Sequence, residues 1–432
     1  MPSWRERWAP LALTARLRAT IEALGDIFWI RPGLLVLGGA LLGQAMVMME
    51  QADIGLPLLP ENWLYGGGEA GARDMLGAIA ASTIGVAGTT FSITVAALSL
   101  ASGQMGPRLL RNFVRDPGNQ MALGIFLGTF AYCLVVLRTV RSMDEGSFVP
   151  QLGITLALLM ALVCVATLVR FVHHIASSIN VETVIEGVHA ELLEAVELLE
   201  EGAPLPPAPH PAGTPVTLDV HGYLRAVDAD ALADWAAARQ AVLVLNVRPG
   251  HYLFPCGAVA EVTPATETEA AREALRDALA LGPRQAATQD LEFAVRQLVE
   301  VALRALSPGI NDPFTAVAVL DRLGATLCAL VPRRLPASRI ERAGRTVLHR
   351  RVTDYAGLCD AMFHTIRQSA AGNPAVMIRL VEVLGRVRAV EPRAERRAEL
   401  DRHVALVLAA GRIALTDPAD AAALEACAPR PD

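Results

Sequence analysis

The chain has 432 residues, of which 53% are hydrophobic and 19% are charged, and its mean hydropathy is +0.38. This average is too apolar for an ordinary soluble enzyme and too polar for a protein that lies wholly in a bilayer, so we expect membrane and soluble parts in one chain. The formal net charge is −6 at pH 7. A nucleic-acid partner is therefore not expected, because such a protein needs a concentrated basic face.

The N-terminal segment, residues 1–31, carries four arginines in its first 18 residues and is predicted to form an amphipathic helix at the membrane surface. It ends near Trp29, an aromatic residue of the type enriched at membrane interfaces. A four-helix transmembrane domain is predicted over residues 32–174, and its first span opens at Pro32 and runs to Met49.

The second predicted span, Met75 to Ser102, is uncharged but rich in small and hydroxyl residues. These recur at three- and four-residue spacing, which places them within an arc of about 100° on a helix. They are Ser82, Gly85, Thr89, Ser92, Ala96, Ser99 and Gly103. Two interpretations stay open: close helix packing, or the wall of a water-filled pore, with Ser82, Thr89, Ser92, Ala96 and Ser99 as pore-lining candidates. The opposite side is predicted to face lipid and carries Ile84, Phe91, Val95 and Leu98.

Three arginines at helical spacing follow this span: Arg108, Arg111 and Arg115. They indicate either positive-inside anchoring at a cytoplasmic loop or a basic pore mouth that attracts anions. The third and fourth spans are predicted at residues 121–137 and 148–171. Gly124 and Gly128 of the third span have the spacing that allows a close helix contact.

The arginine distribution predicts the orientation. The N-terminus and the second connector are basic, whereas the first connector holds five acids and one arginine. With four spans, both termini are therefore predicted to lie in the cytoplasm.

The rest of the chain is predicted to be a cytosolic α+β region. Its expected parts are a connecting helix at 175–201, a proline-rich linker at 202–215, a small β-containing module at 216–266 and a helical domain at 267–432. Within the last part, helices are predicted at 267–281, at 290–306, at 313–330 and from Ile340 onward. The SPGIND corner before Pro313 offers Asn311 and Asp312 either as a helix cap or as a ligand or subunit contact.

Two blocks carry a resemblance to a known family. One runs from Thr83 to Arg141 and includes TTFSITVAALSLASGQMGPRLLRNFVRDPGNQ; the other runs from Asp290 to Leu323 and includes RALSPGINDPFTA. They resemble the bacterial family of predicted membrane proteins known as domain of unknown function 2254. The resemblance covers most of the chain and implies four N-terminal spans and a cytosolic C-terminal region. We expect the protein to lie in the bacterial inner membrane. It implies no catalytic residue.

The sequence predicts no reaction. It contains no phosphate-binding glycine loop, no GxSxG, no HExxH and no CxxC pair, so no catalytic residue, cofactor or metal site is expected, and an enzyme is not the favoured class. The prediction is a homo-oligomeric channel for small ions, anion-preferring or weakly selective, with the second span lining the pore. The alternative is a membrane-anchored sensor or scaffold that does not conduct.

Overall fold

The computed structural model of the protein describes residues 28–52, 64–105, 116–140, 148–178, 180–202, 212–283, 285 and 291–429. The described residues divide into two compact units, one within Ile21–Asn180 and one within Val181–Asp432, called here the membrane unit and the C-terminal unit. The membrane unit contains four described helices: α1 (Ile30–Gln51), α2 (Glu69–Met105), α3 (Pro117–Thr139) and α4 (Gln151–Ser178).

Helix α3 is the central helix of the membrane unit and contacts α1, α2 and α4. In its most apolar stretch 56% of the residues are buried, against 28% or less in the other three helices. Glycines let α1 approach it closely. A Cβ at Gly39 would collide with the carbonyl group of Gly128, and a Cβ at Gly128 would lie 2.7 Å from the carbonyl oxygen of Leu35. The predicted close contact at Gly124 and Gly128 is confirmed.

Charged side chains cap the ends of these helices. The Glu50 carboxylate, at the end of α1, accepts hydrogen bonds from the backbone N–H groups of Leu152 (2.6 Å) and Gly153 (3.4 Å), at the start of α4. Asp116 caps α3 by accepting from Gly118 N at 2.9 Å and also pairs with His174 of α4. Both acids satisfy N–H groups that a helix start leaves without intrahelical partners.

The C-terminal unit combines helices with strands. Its helices are α5 (Val181–Glu197), α6 (Ala229–Ala238), α7 (Thr268–Ala278), α8 (Leu291–Ala305), α9 (Pro313–Leu330), α10 (Tyr355–Cys359), α11 (Thr365–Ser369), α12 (Pro374–Val390), α13 (Ala394–Ala414) and α14 (Pro418–Ala426). A π-helical turn, Asp360–His364, joins α10 to α11. Its strands are β1 (Thr214–Thr217), β2 (Gly222–Val227), β3 (Val242–Leu245), β4 (Tyr252–Leu253), β5 (Ala258–Thr263), β6 (Leu279–Gly282), β7 (Arg339–Arg342) and β8 (Arg345–Arg350).

The strands form two sheets. One has five strands in the order β1-β5-β3-β8-β7, in which only the β3–β8 pair is parallel; the other has three antiparallel strands in the order β4-β2-β6. Helices α6 and α7 cover the larger sheet: α7 contacts β1, and α6 contacts β3 and β8. Leu243, Val262 and Leu348 are among the core residues that are fully buried between them.

Three of the remaining helices, α5, α8 and α12, pack around α9. A buried arginine of α13, Arg396, joins α13 to the end of α9 and to the residue that follows α12. The Arg396 guanidinium donates to the carbonyl groups of Leu330 and Arg333 at 3.0 Å each and lies 3.3 Å from the Glu391 carboxylate. It therefore satisfies carbonyl groups at the C-terminal end of α9.

The predicted parts differ from the structure at several points. The helix expected from Ile340 onward is wrong, because residues 339–350 form the β7–β8 hairpin. This hairpin adds two strands to the larger sheet. The helix expected at 267–281 ends at Ala278, because β6 (Leu279–Gly282) follows it and joins the smaller sheet. The β structure therefore extends beyond residues 216–266 into the part expected to be helical. The connecting helix expected at 175–201 is two helices, since α4 ends at Ser178 and α5 packs on α8 and α9. Residues 203–211 of the proline-rich linker and residues 1–27 of the N-terminal segment lie outside the described residues.

Five described helices have the length and composition needed to cross a membrane. Four of them overlap the predicted spans: α1, residues Glu69–Leu100 of α2, α3, and residues Gln151–Ser177 of α4. The fifth, α9, lies in the C-terminal unit, where its neighbours are α5, α8 and α12.

Candidate pore-lining face of helix α2

Helix α2 is longer than the sequence predicted. It has 37 residues and begins at Glu69 rather than at Met75. At about 1.5 Å per residue this corresponds to roughly 55 Å, well beyond the hydrocarbon thickness of about 30 Å. One end of it is fixed by Arg73, whose guanidinium donates to the carbonyl group of Val140 at 3.1 Å.

One face of α2 packs inside the chain, against α3 and α4. Small and hydroxyl residues also form this face, at the same three- and four-residue spacing as the predicted stripe. Its buried members are Ala72, Leu76, Ala80, Thr83, Ala87, Thr90 and Ala97. This second stripe was not predicted, although the spacing of its alanines and threonines could have revealed it.

The predicted pore-lining residues lie on a different face and are all exposed in the single chain: Ser82, Thr89, Ser92, Ala96 and Ser99. At 100° per residue, the centre of this exposed stripe lies about 160° from the centre of the buried one. The four-helix unit therefore leaves a face of small and hydroxyl residues uncovered. Ile84, Phe91 and Val95, predicted to face lipid, are exposed as well.

The hydroxyl groups of the exposed stripe bond to their own helix. The Thr89 hydroxyl donates to the Gly85 carbonyl oxygen at 2.8 Å, and the Ser92 hydroxyl donates to the Gly88 carbonyl oxygen at 2.9 Å. Because their donors are satisfied, these residues present only oxygen lone pairs outward. Such a face is polar enough to contact water and small enough to pack against another helix.

The arginines predicted at the pore mouth, Arg108, Arg111 and Arg115, lie outside the described residues. Within the described ranges, no group of three or more His, Cys, Asp or Glu side chains is arranged to hold a metal ion.

The SPGIND corner, predicted as a cap or a contact, lies between α8 and α9. The Asp312 carboxylate accepts from the backbone N–H of Phe314 (3.1 Å) and Thr315 (3.2 Å) and from the Thr315 hydroxyl (2.6 Å). Hydrogen bonding from the Thr315 side chain, more than any other factor, lowers the pKa of Asp312. Asn311 has a φ of +49°, a conformation that asparagine tolerates better than most residues. Both residues thus shape the turn, with Asp312 as the N-cap.

An ionic cluster in the C-terminal unit was not predicted. Arg248 and Arg296 both contact Glu292, whose side chain is only 5% exposed. Arg248 is distant in sequence from the other two residues, so no local motif signals the whole cluster. Arg248 follows β3, whereas Glu292 and Arg296 lie one turn apart on α8.

The long apolar helices and the uncovered small-residue face define the class of this protein, a helical membrane protein with a C-terminal unit that combines helices with mainly antiparallel sheets. The chain belongs to the family described as "Predicted membrane protein (DUF2254)", whose sequence profile matches residues 26–386.

Two mycobacterial proteins are similar over most of their length. They are "Uncharacterized protein Rv1290c" of Mycobacterium tuberculosis (strain ATCC 25618 / H37Rv) and "Uncharacterized protein Mb1321c" of Mycobacterium bovis (strain ATCC BAA-935 / AF2122/97). Each is 32% identical over 432 residues, and each match covers 96% of this chain and 82% of the relative. No solved structure matches the chain.

Proposed function

We propose that the protein is a homo-oligomeric ion channel in which the exposed stripe of α2, one per subunit, surrounds the pore. The observation that carries this proposal is the exposure of Ser82, Thr89, Ser92, Ala96 and Ser99 on the side of α2 opposite its buried face. Four helices are too few to enclose a pore, so several subunits are needed. A face of small and hydroxyl side chains at the centre of such an assembly supplies the polar wall that ions require.

The proposed topology has four spans, α1 to α4, with both termini on the cytoplasmic side of the bacterial inner membrane. The acidic first connector and the basic second connector favour this orientation. Helix α9 is proposed to be a soluble core helix, because its neighbours α5, α8 and α12 belong to the C-terminal unit. The protein is proposed to act without catalysis, with small ions and the lipid bilayer as its partners.

Chloride-type anions or weakly selected ions are proposed to permeate. The exposed stripe carries no acidic residue that would form a cation-attracting ring. The basic segment that follows α2 would raise the local anion concentration at the cytoplasmic mouth.

A second candidate function is a membrane-anchored scaffold without conduction. Two observations favour it. The hydroxyls of Thr89 and Ser92 are already bonded within α2, so they fit a dry helix contact. At the SPGIND corner, Ile310 and Phe314 expose 41% and 81% of their surfaces, which suits a protein partner.

Single-channel recording in planar bilayers distinguishes the two functions. The purified wild type is compared with Ser92→Leu, Ser99→Asp and the control Val95→Leu under an asymmetric chloride gradient. If the protein is a channel, the wild type gives discrete currents, and Ser92→Leu lowers their conductance. Ser99→Asp shifts the reversal potential toward the equilibrium potential of the cation. Val95→Leu changes neither the conductance nor the reversal potential. Silence from folded, oligomeric wild type across voltage, pH and membrane tension would support the scaffold.

A further inference from the structure

A cleft opens on the surface of the membrane unit between α1 and α3. Its volume is about 380 Å³, and all of its lining residues come from these two helices. They are Ala40, Leu41, Gln44, Leu134, Val135 and Arg138. We call it the Arg138 cleft. Its two polar residues, Gln44 and Arg138, are the last lining residue of each helix, and the other four are apolar.

The two helices of the cleft run in the same direction, because successive glycine contacts advance along both of them. The Cβ that Gly43 lacks would lie 3.1 Å from the carbonyl oxygen of Tyr132, so its neighbour Gln44 lies near the level of Cys133. Arg138 comes five residues later on α3, about 7.5 Å further along the axis at roughly 1.5 Å per residue. The two polar residues therefore start from different depths.

The side chain of Arg138 closes this gap by pointing back along α3. Its Nη2 donates to Gln44 Oε1 at 3.2 Å, so the guanidinium lies towards the middle of the helix from its own Cα. Helical side chains lean towards the N-terminus, which favours this direction. Arginines near the ends of membrane helices commonly extend outward to the interface instead. Here the guanidinium is held inside the cleft, beside Leu134 and Val135.

The polar end of the cleft offers hydrogen-bond donors. A guanidinium carries five N–H groups, and among the described residues Arg138 uses one of them, towards Gln44. Because Oε1 of Gln44 accepts from Arg138, its Nε2 supplies two further donors. Donors beside apolar walls need an acceptor, since hydrocarbon supplies none. The oxygens of an anion satisfy a guanidinium best, because such charge-assisted hydrogen bonds are the strong ones.

We propose that the Arg138 cleft binds an anionic phospholipid, with the phosphate at Arg138 and Gln44 and part of one acyl chain between α1 and α3. The guanidinium fork matches two phosphate oxygens at once. Ala40, Leu41 and Leu134 lie about one turn before the polar pair and form a wall for methylene groups. A cleft of this size takes the phosphate and the first carbons of a chain, and the rest of the lipid stays in the bilayer.

The surroundings of the cleft favour a lipid over a soluble phosphate. Leu41 and Leu134 are 61% and 45% exposed, and both belong to helices with the length and composition to cross a membrane. Acyl chains therefore surround the cleft in a bilayer, whereas a soluble phosphate would have to leave water to reach it. The lining residues belong to α1 and α3 alone, so the site is separate from the α2 stripe and does not depend on conduction.

Native mass spectrometry of the full-length protein tests the site, because one spectrum counts both bound lipids and subunits. The protein is delipidated in a neutral detergent and titrated with phosphatidylglycerol, with phosphatidylcholine and with inorganic phosphate. Inorganic phosphate is also added as a competitor of bound phosphatidylglycerol. This comparison separates a lipid site from a site for soluble phosphate.

Two variants change different parts of the cleft. Arg138→Gln removes the charge and the guanidinium fork, and Leu134→Trp fills the apolar part. The matched controls are Arg170→Gln and Leu162→Trp, at exposed positions of α4 that do not line the cleft. Thermal melts verify that all four variants fold.

The proposal predicts saturable binding that prefers phosphatidylglycerol and is weakened about tenfold or more by Arg138→Gln, as the loss of hydrogen bonds to a charged group implies. Leu134→Trp should weaken it too, while both controls and inorganic phosphate leave it unchanged. Three results would overturn the proposal: no preference for phosphatidylglycerol, equal binding by Arg138→Gln and Arg170→Gln, or displacement of the lipid by inorganic phosphate. A changed subunit number for Arg138→Gln with unchanged lipid binding would assign the cleft to a contact between copies instead.

Discussion

At the scale of single residues, His403 shows how burial sets a protonation state. Its ring is fully buried on α13, 3.2 Å from the Asp360 carboxylate and with its centroid 5.8 Å from that of Phe363. Burial, and after it the charge of Arg402, lower the pKa of His403 to about 4, although Asp360 opposes the shift. The imidazole is therefore neutral in the folded protein at pH 7.

This lowered pKa makes stability depend on pH. The unfolded chain binds a proton at this histidine below about pH 6.5, whereas the folded chain does so only near pH 4. The contribution of the neutral histidine to the free energy of unfolding should therefore be fully present above pH 6.5 and decrease between pH 6.5 and 4. At pH 5 the free energy of unfolding should be lower by about 2 kcal/mol. Thermal melts of His403→Phe in detergent should lose this part of the decline from pH 7 to pH 5. The control is His221→Phe, at an exposed position; an identical decline in all three proteins contradicts the assignment.

The SPGIND corner gives a second prediction for single residues. Asp312→Ala removes the acceptor of two backbone N–H bonds and should lower the free energy of unfolding by about 1 kcal/mol, as lost caps do. Asn311→Gly should leave it within about 0.5 kcal/mol, because glycine adopts the φ of +49° without strain. Thermal melts measure both. A neutral Asp312→Ala together with a damaging Asn311→Gly would show that the corner serves a contact instead.

At the scale of elements, the pairing of α1 with α3 depends on glycine. Gly39→Ala places a Cβ against the Gly128 carbonyl group, so α1 must move away, at a cost of about 1–3 kcal/mol. Gly38 is the matched control, since a Cβ there meets nothing within 4 Å. Gly38→Ala should be neutral or slightly stabilising, because alanine favours the helix. Detergent melts and expression levels compare the two variants, and equal behaviour would refute this account of the contact.

An element can be predicted from the sequence when neighbouring residues determine its structure. Asp312 and Pro313 form a cap within two residues, and the predicted bounds of α9 agree with the structure. The β7–β8 hairpin escaped prediction because its turn places Ala343 and Gly344 at φ of +51° and +75°. Asparagine or aspartate usually precedes the glycine of such a turn. With alanine there, the segment resembles a helix.

Long-range pairing limits what the sequence can predict. The parallel contact of β3 with β8 joins residues about a hundred positions apart, and the Arg248–Thr353 hydrogen bond of 2.5 Å does the same. Neither leaves a spacing signal. The α2 stripe, by contrast, was predictable as a helix face, because helical periodicity is local. Helix α2 has two faces of small residues, and packing against α3 and α4 buries one of them. Only the structure distinguishes the buried face from the exposed one.

For the molecule as a whole, we propose that the uncovered face of α2 meets water in the assembled protein. In a chain whose six native cysteines are replaced by alanine, single cysteines are introduced at Ser92 and Ser99 on the stripe. Val95 on the lipid side and Thr90 on the buried face serve as controls. All four variants are reconstituted into vesicles.

The measurement is the rate at which a charged, membrane-impermeant thiol reagent modifies each cysteine. We predict that Ser92→Cys and Ser99→Cys react at least about tenfold faster than Val95→Cys and Thr90→Cys, because only a thiol in water forms the reactive thiolate readily. Permeant anions present in excess should slow the reaction at the stripe. Equally slow modification at all four positions, in protein that is folded and oligomeric, would contradict the pore and leave the stripe as a dry contact between helices.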